Sequence, residues 1–161
     1  IKHVIDWYIE SLGDITLENN IISIQIALEA LSYIILVEKE GLLDDEQFDQ
    51  NNASKNIKLV LNACNIPHGS DELELFDDWI RGKFDDGVDL VIYFRNKIVH
   101  PVRKDNRANL TVEDMWNIIQ IGTKYIELIV LSFIGYKGEY SNRLKERWFG
   151  EVEVVPWNKL D

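Results

Sequence analysis

Arg95, Asn96 and His100 have the residue types and spacing for acid–base chemistry on a phosphate, and they interrupt an apolar segment that runs from Val91 to Pro101. At about 100° per residue, Asn96 and His100 lie roughly 40° apart on one helix face, whereas Arg95 is about 140° from His100. An imidazole that titrates near neutral pH can take a proton from a 2′-OH. A guanidinium can hold a phosphate through two parallel hydrogen bonds as negative charge develops. The segment therefore suits phosphodiester cleavage, with His100 as general base or acid, Arg95 as phosphate ligand and Asn96 as orienting group.

The same residues also fit a purely structural role at the end of a helix. A His at a helix C-terminus interacts favourably with the negative end of the helix dipole, and an Arg one turn earlier does the same. From spacing alone this capping role has the stronger support, and the nuclease hypothesis needs further observations.

The elements that position these residues are predicted to be helices. Hydrophobic periodicity favours an all-α, up-and-down antiparallel bundle of four to five helices with a short C-terminal extension. The segment 17–40 is apolar on nearly every side, which is typical of a central, buried helix. Helices are predicted over 1–12, 17–40, 45–64, a short segment opened by Asp71 as its cap, 88–100 and a long segment from a Thr111 cap to Gly135, with an extended stretch at 152–155.

Length and composition predict one soluble globular domain. A chain of 161 residues with 46% apolar and 28% charged residues can bury a core without a disulfide or a metal. The single cysteine, Cys64, excludes an internal disulfide and fits a reducing compartment. We see no uninterrupted apolar run long enough to cross a membrane and no secretory signal, so we expect a cytoplasmic protein without a membrane partner.

Several sequence features together resemble the HEPN superfamily, in its Apea-like branch. Arg95-Asn96-x-x-x-His100 is similar to the R-x(4–6)-H signature of HEPN domains, and the helix that carries it ends in His-Pro. The segment 27–31 (Ala-Leu-Glu-Ala-Leu) lies on the first long predicted helix, and the segment 135–143 (Gly-Tyr-Lys-Gly-Glu-Tyr-Ser-Asn-Arg) follows the last one. The resemblance covers residues 15–145, within a single domain over 1–161.

The resemblance implies a metal-independent endoribonuclease that uses no cofactor. In that family two protomers form a homodimer in which Arg and His residues line one cleft, and RNA cleavage leaves a cyclic phosphate and a free 5′-hydroxyl. Many relatives are toxins or abortive-infection effectors in antiviral defence. Others are catalytically silent, so the alternative is a dimerisation or partner-docking module.

The resemblance also implies further parts and partners. Apea-like proteins usually carry a separate domain before the HEPN unit, so we expect the chain, which opens on Ile1, to be the C-terminal part of a longer protein with an N-terminal sensor domain. A nucleotidyl-modified toxin with an antitoxin partner is a weaker reading that the HEPN class also contains.

The net charge of -11 opposes non-specific RNA binding, but the bases are concentrated locally. The segment 95–107 has five bases and one acid, and the segment 137–147 has four bases and two acids. A basic patch on an acidic body would direct a polyanion to one cleft, although solvated loop charges would produce the same count. The residues predicted to bind RNA are Tyr93, Lys97, Arg103, Lys104, Arg107 and Arg143.

No metal site is predicted. The acidic run between Asp71 and Asp89, which includes Glu72 and Asp86, lacks the ligand spacing of a calcium loop and is expected to be a solvated face. Cys64-x-x-x-His68 is half of a zinc site at best.

Overall fold

A computed structural model describes residues 1–13, 16–100, 110–145 and 151–158 of the chain. The predicted all-α bundle is confirmed: the described chain is mostly helical, and five of its helices have ten residues or more. The helices are α1 (Lys2–Ser11), α2 (Leu17–Tyr33), α3 (Asp45–Gln50), α4 (Ala53–Ala63), α5 (Asp78–Lys83), α6 (Gly87–Val99) and α7 (Val112–Phe133).

Helix α2 is the centre of the bundle, as its all-round apolar sequence predicts. It packs against α1, α4, α6 and α7, and Ile21, Ile24 and Leu31 are completely buried. The Thr16 hydroxyl caps its start. At its other end the chain continues as a π-helical turn over 34–39 and stops at Gly41, whose φ of +58° is accessible to glycine at little cost.

The longest helix, α7, lies directly on α2. Its predicted cap is confirmed, because Thr111 and Asp114 form a reciprocal capping box. Close packing of the two helices depends on Gly122, since a Cβ atom at that position would collide with the side chain of Ile24. Helix α7 ends before Gly135, which has a φ of +70°.

Two predicted helix boundaries are wrong. The segment 45–64 is two helices, because the Asn52 side chain accepts a hydrogen bond from the Lys55 N–H at 2.8 Å and starts α4 there. Asp71 does not cap an α-helix: it lies within a 3-10 turn over 70–75. The following helix, α5, is capped instead by Asp77, which accepts from the Ile80 N–H at 2.9 Å.

The C-terminal extension returns to the end of α7. The extended stretch predicted at 152–155 is confirmed in part as strand β2 (Glu153–Val154), which pairs antiparallel with β1 (Glu139–Tyr140). Beyond β2, a 3-10 turn covers Pro156–Asn158, and the Trp157 indole N–H donates to the carbonyl of Tyr136 at 2.7 Å. These contacts hold the extension against the bundle.

One helix among the described residues is long and apolar enough to cross a membrane, namely α2 with its π-helical continuation over Leu17–Lys39. In this structure 61% of its most apolar 18-residue window is buried. The core helix of a bundle has the same length and composition, so the feature by itself is weak support for a membrane span.

Candidate functional site

Helix α6 positions the three residues predicted to be catalytic. The Asp86 carboxylate caps its start by accepting from the Asp89 N–H at 3.0 Å. Its inward face is anchored in the core by Val88, Leu90, Val91 and Phe94, all of which are buried. Arg95, Asn96 and His100 therefore lie on the last turn of a helix whose orientation is fixed by packing.

Asn96 contacts both of the other predicted catalytic residues. Its side-chain oxygen accepts a hydrogen bond from Nη1 of Arg95 at 3.2 Å. Its backbone carbonyl accepts one from the N–H of His100 at 2.8 Å. His100 itself leaves the helix, with φ -119° and ψ 71°, and is exposed. In the last turn of α6, Asn96 is therefore hydrogen-bonded both to the guanidinium of Arg95 and to the backbone of His100.

Arg95 is half-buried and has unused hydrogen-bonding capacity. Its Nε atom is buried and has no hydrogen-bond partner among the residues that the structure describes. No hydrogen bond or ion pair in the described chain joins Arg95 to His100, in agreement with the wide angle between them on an ideal helix. Within the described part of the chain, the bond from Arg95 goes to the Asn96 side chain and not to a carbonyl of the last turn.

A cluster of cations and aromatic rings lies next to this site. Its members are on α5 and on α6, where they lie one to two turns before His100. Lys83 donates a hydrogen bond to the Tyr93 hydroxyl at 2.7 Å. Its ammonium lies 4.0 Å from the ring centroid of Tyr93 and 4.5 Å from that of Trp79. The ammonium of Lys97 lies 5.4 Å from the Tyr93 ring. We refer to Trp79, Lys83, Tyr93 and Lys97 as the Lys83 cluster.

The electrostatics of the cluster act on the Tyr93 hydroxyl. The hydrogen bond from Lys83 is the largest effect on the pKa of Tyr93 and lowers it below its ordinary value. Burial opposes this shift, and the positive charges of Lys83 and Lys97 lower the pKa further. The cluster is therefore a positively charged environment that stabilises negative charge on an oxygen atom.

Comparison with known proteins identifies the family. The family model of the YopA C-terminal domain matches residues 1–154. This chain belongs to the YopA C-terminal domain family. It is similar to the SPbeta prophage-derived uncharacterized protein YopA of Bacillus subtilis (strain 168), with 34% identity over 160 residues. That alignment covers 98% of this chain but 35% of the relative. No solved structure matches the chain.

The structure of this YopA C-terminal domain places the other predicted RNA-binding residues in different regions. Tyr93 and Lys97 belong to the Lys83 cluster, adjacent to Arg95 and Asn96. Arg143 lies after β1 and pairs with Glu127 on α7. Arg103, Lys104 and Arg107 lie outside the described residues.

Arg143 is engaged in an ion pair. It donates to both carboxylate oxygens of Glu127, with distances of 2.6–3.0 Å, and Tyr8 donates to the same carboxylate at 2.6 Å. The hydrogen bond to Glu127 raises the pKa of Arg143, and burial together with Glu127 raises that of Tyr8. In this arrangement the charge of Arg143 is matched by a carboxylate. The three residues line a groove of about 610 Å³ whose other walls are Val4, Ile5, Ile126, Val130, Leu131, Tyr140 and Ser141.

The expectation that the whole acidic run is solvated is wrong for two residues, Glu72 and Asp86, which are buried. Glu72 accepts a hydrogen bond from Lys124 at 2.6 Å and another from the Tyr125 hydroxyl. Asp86 forms an ion pair with Lys58 at 2.9 Å. Their partners are distant in the sequence, so no local pattern could have separated these two acids from the exposed ones.

No group of three metal-ligating side chains occurs within the described ranges. Burial raises the pKa of the Cys64 thiol, which disfavours the thiolate that a metal would need. His68 lies 3.2 Å from the Asn62 side-chain oxygen and 3.6 Å from Asp86. These contacts give Cys64 and His68 separate surroundings, and they do not form a metal site together.

Sequence reasoning missed Trp79 and Lys83 as candidate functional residues. Their i, i+4 spacing places them on one face of α5, which is a signal that the sequence contains. The contact of Lys83 with Tyr93 depends on how α5 lies beside α6, because ten residues, including the break between the two helices, separate them. That packing is visible only in the structure.

Proposed function

We propose that this YopA C-terminal domain is a HEPN-type, metal-independent endoribonuclease, in which Arg95, Asn96 and His100 act on RNA in the cleft of a homodimer. The observation that carries the proposal is the arrangement around Asn96. This residue accepts a hydrogen bond from the Arg95 side chain and the ordinary helical hydrogen bond from the His100 backbone N–H, so it restrains the guanidinium and places His100 directly after the last turn of α6.

The hydrogen bonds of Arg95 support the role of a phosphate ligand. A guanidinium has five N–H donors, and in the described chain only one of them has a partner, the Asn96 oxygen. Nε is buried, so the donors that remain on Nη1 and Nη2 are the ones that suit paired hydrogen bonds to phosphate oxygens. A half-buried position also weakens the competition from water, which strengthens such bonds.

The chemistry assigned to the site requires one base, one acid and one anion ligand. His100 takes the proton from the ribose 2′-OH, the 2′-oxygen forms a bond to phosphorus, and the bond from phosphorus to the 5′-oxygen breaks. The leaving 5′-oxygen takes up a proton, from the protonated imidazole of one subunit or from water. Arg95 stabilises the negative charge on the non-bridging oxygens in the transition state. The products are a 2′,3′-cyclic phosphate and a free 5′-hydroxyl, and no metal takes part.

A homodimer completes the proposed site. Arg95 and His100 of one protomer do not contact each other in the described chain, so one copy offers a single guanidinium and a single imidazole on an open surface. A second copy facing it would supply the opposite wall and a second set of bases. The second set of bases raises the positive charge within the cleft, while the dimer as a whole carries twice the net charge of -11.

A role in defence or as a toxin is part of the proposal. The relative from Bacillus subtilis is described as prophage-derived, and a ribonuclease in such a setting would act on RNA in the cytoplasm during phage infection. Since the chain spans 35% of that relative, a sensor domain in the remaining part, or a separate antitoxin, would control the activity.

The proposal is tested by RNA cleavage with EDTA present. Wild-type protein, His100→Ala and Arg95→Ala are incubated with a structured RNA, and the ends of the products are analysed by mass spectrometry. We expect cyclic-phosphate ends from the wild type and none from the two variants. His3→Ala, which removes an exposed histidine on α1, serves as the matched control and should retain full activity. Activity that survives in His100→Ala would remove this mechanism.

The second candidate function is a catalytically silent module for dimerisation or partner docking. It is favoured by the apolar surface of α1, where Ile5, Ile9 and Leu12 are 45%, 62% and 47% exposed beside the groove that contains Arg143. The double substitution of Ile5 and Ile9 by Ser separates the two candidates. A docking module loses its dimer or partner binding in this variant and has no RNA cleavage to lose.

A further inference from the structure

Trp79 is the exposed aromatic residue of the Lys83 cluster. It is 48% exposed although it packs against Lys83 and belongs to a bundle with a large buried core. A half-exposed indole beside a cation is the type of surface on which unpaired nucleic-acid bases stack. Exposure of this kind costs hydrophobic free energy, which a bound base would recover.

Lys83 is held in place before any ligand binds. Its ammonium is fixed by the hydrogen bond to Tyr93 at 2.7 Å and by the Trp79 ring at 4.5 Å, with the Phe84 ring 5.5 Å away. Ordering a long, exposed lysine side chain normally costs conformational entropy on binding. In this cluster most of that ordering has already occurred, so the ammonium is prepared to meet an anion.

The acids near the cluster are largely occupied by other partners. Asp78 pairs with Arg81 on α5. Asp86 and Asp89 pair with Lys58 at 2.9 and 2.7 Å. Asp85 remains exposed on the turn that joins α5 to α6. Among the described residues none of these acids forms an ion pair with Lys83, so its ammonium can contact a phosphate.

The distance to His100 matches a strand that runs along α6. Tyr93 lies seven residues before His100, which directly follows the last turn of α6, and seven residues of helix span roughly 10 Å along the axis. Nucleotides stacked at about 3.4 Å would place the cluster within about three nucleotides of the linkage at His100. Asn96 and Lys97 lie between these two positions on the same face.

We infer that the Lys83 cluster is a nucleotide subsite for single-stranded RNA, in which a base stacks on Trp79 and a phosphate contacts Lys83. The subsite rests on the proposed function, since it names the substrate class of the same site: RNA whose bases are unpaired next to the scissile linkage. It also gives an acidic protein a means of binding RNA that does not depend on net charge alone.

The binding test uses the full chain carrying His100→Ala, so that the probe is not cut, and a fluorescein-labelled single-stranded RNA of about ten nucleotides. Fluorescence anisotropy gives the Kd at several salt concentrations. We expect Trp79→Ala to weaken binding by about 5- to 140-fold, the range for loss of one stacked base, and Trp79→Phe to retain most of the affinity. Lys83→Met should reduce the slope of log Kd against log salt by about 0.7, the value for one phosphate contact.

Trp7→Ala is the matched control, because Trp7 is also exposed, at 38%, but lies on α1, which packs on α2 and α7. It should leave the Kd within twofold of the parent. A Trp79→Ala variant that binds as tightly as this control would overturn the subsite. Unchanged RNA binding combined with a loss of dimer in sedimentation would also overturn it, and would make Trp79 an anchor of a protein interface.

The outcomes also separate the subsite from the proposed nuclease. If Trp79→Ala weakens RNA binding while the protein with His100 intact cleaves no RNA, the subsite stands and the nuclease proposal fails. If Trp79→Ala binds normally while His100→Ala abolishes cleavage, the subsite fails and the nuclease proposal stands. If the parent protein shows no measurable affinity for the RNA, the subsite is overturned.

Discussion

Arg95 and Asn96, adjacent in the sequence, are joined side chain to side chain by a hydrogen bond of 3.2 Å. Neighbouring residues on a helix point about 100° apart, so this contact requires the long guanidinium to turn toward the shorter amide. The contact restrains a side chain that would otherwise have many rotamers, and it directs the guanidinium toward the side of α6 that leads to His100.

Asn96 is therefore expected to control how well the guanidinium of Arg95 can bind a phosphate. Asn96→Ala removes the restraint and should reduce kcat/KM for RNA cleavage by about tenfold, since a positioning group is lost but the cation remains. Asn96→Asp should be more damaging, because a carboxylate would form an ion pair with the guanidinium and repel phosphate. Asn19→Asp, which adds the same charge on the exposed first turn of α2, is the control. Equal activity of Asn96→Asp and wild type would contradict this role.

Arg95 and His100 are expected to contribute to RNA cleavage and not to the stability of the fold. Arg95→Ala and His100→Ala should each lower the single-turnover cleavage rate by about 10²–10⁴ while leaving the thermal unfolding midpoint nearly unchanged. Arg95→Lys should recover only part of the loss, because an ammonium cannot bind phosphate through two parallel bonds. Circular dichroism on the same samples checks the fold. A rate loss that follows the loss of folded protein would assign these residues to stability alone.

Much of the fold could be predicted from local sequence signals. The Thr111 cap, the glycine ends at Gly41 and Gly135 and the all-round apolar segment of α2 act within a few residues of each other, and the structure agrees with each. The errors arose where two local signals compete. Asn51 ends α3 and Asn52 caps α4, and Asp77 rather than Asp71 starts α5.

The candidate site was predictable only where its residues share one helix. Arg95, Asn96 and His100 fall within six positions at the C-terminal end of α6, so the helix period largely fixes their relation. Lys83 reaches Tyr93 from another helix, and Lys124 reaches Glu72 from 52 residues away. Such contacts depend on tertiary packing, which no spacing rule encodes.

Gly87, the first residue of α6, is predicted to be essential for stability. A Cβ atom there would lie 2.7 Å from Ile121, 2.8 Å from the Tyr125 hydroxyl and 2.9 Å from Glu72. Gly87→Ala should lower the free energy of unfolding by about 1–3 kcal/mol through overpacking. Gly82→Ala is the control: nothing lies within 4 Å of its added Cβ, so it should be neutral or stabilising by up to about 1 kcal/mol. Urea unfolding measures both, and equal effects would contradict the packing argument.

Removal of only one partner of the buried ion pair between Lys124 and Glu72 is expected to destabilise the protein strongly. Lys124→Met leaves the Glu72 carboxylate buried with the Tyr125 hydroxyl as its remaining partner, which should cost about 3–5 kcal/mol. Adding Glu72→Gln removes the unpaired charge and should recover most of that loss. Lys137→Met, at an exposed position, should change the stability by less than about 0.5 kcal/mol. A double variant as unstable as Lys124→Met would show that the charge is not the cause.

The ion pair of Asp89 and Lys58 is expected to influence how steeply the free energy of unfolding falls at acid pH. Burial raises the pKa of Asp89, but hydrogen bonds from Lys58 at 2.7 Å and Ser54 at 2.5 Å outweigh it and hold that pKa below its ordinary value of 3.8. A lowered pKa means that the contribution of Asp89 to stability is present above about pH 4 and is lost as the pH falls through the folded-state pKa. The hydrogen bonds from Lys58 to Asp86 and Asp89 outweigh its burial and raise the pKa of Lys58 above 10.5, so its contribution persists to alkaline pH.

Lys58→Met is therefore expected to make the free energy of unfolding less sensitive to acid pH. Without the ammonium, the pKa of Asp89 rises toward or above its ordinary value, and acidification from about pH 5 to pH 2 removes less stability than in the wild type. Urea unfolding across this range, with the free energy of unfolding plotted against pH, measures the difference in slope. Lys55→Met, an exposed lysine one turn earlier on α4, should follow the wild-type curve. If the free energy of unfolding falls equally steeply with acid in the wild type and in Lys58→Met, then other carboxylates take up the protons.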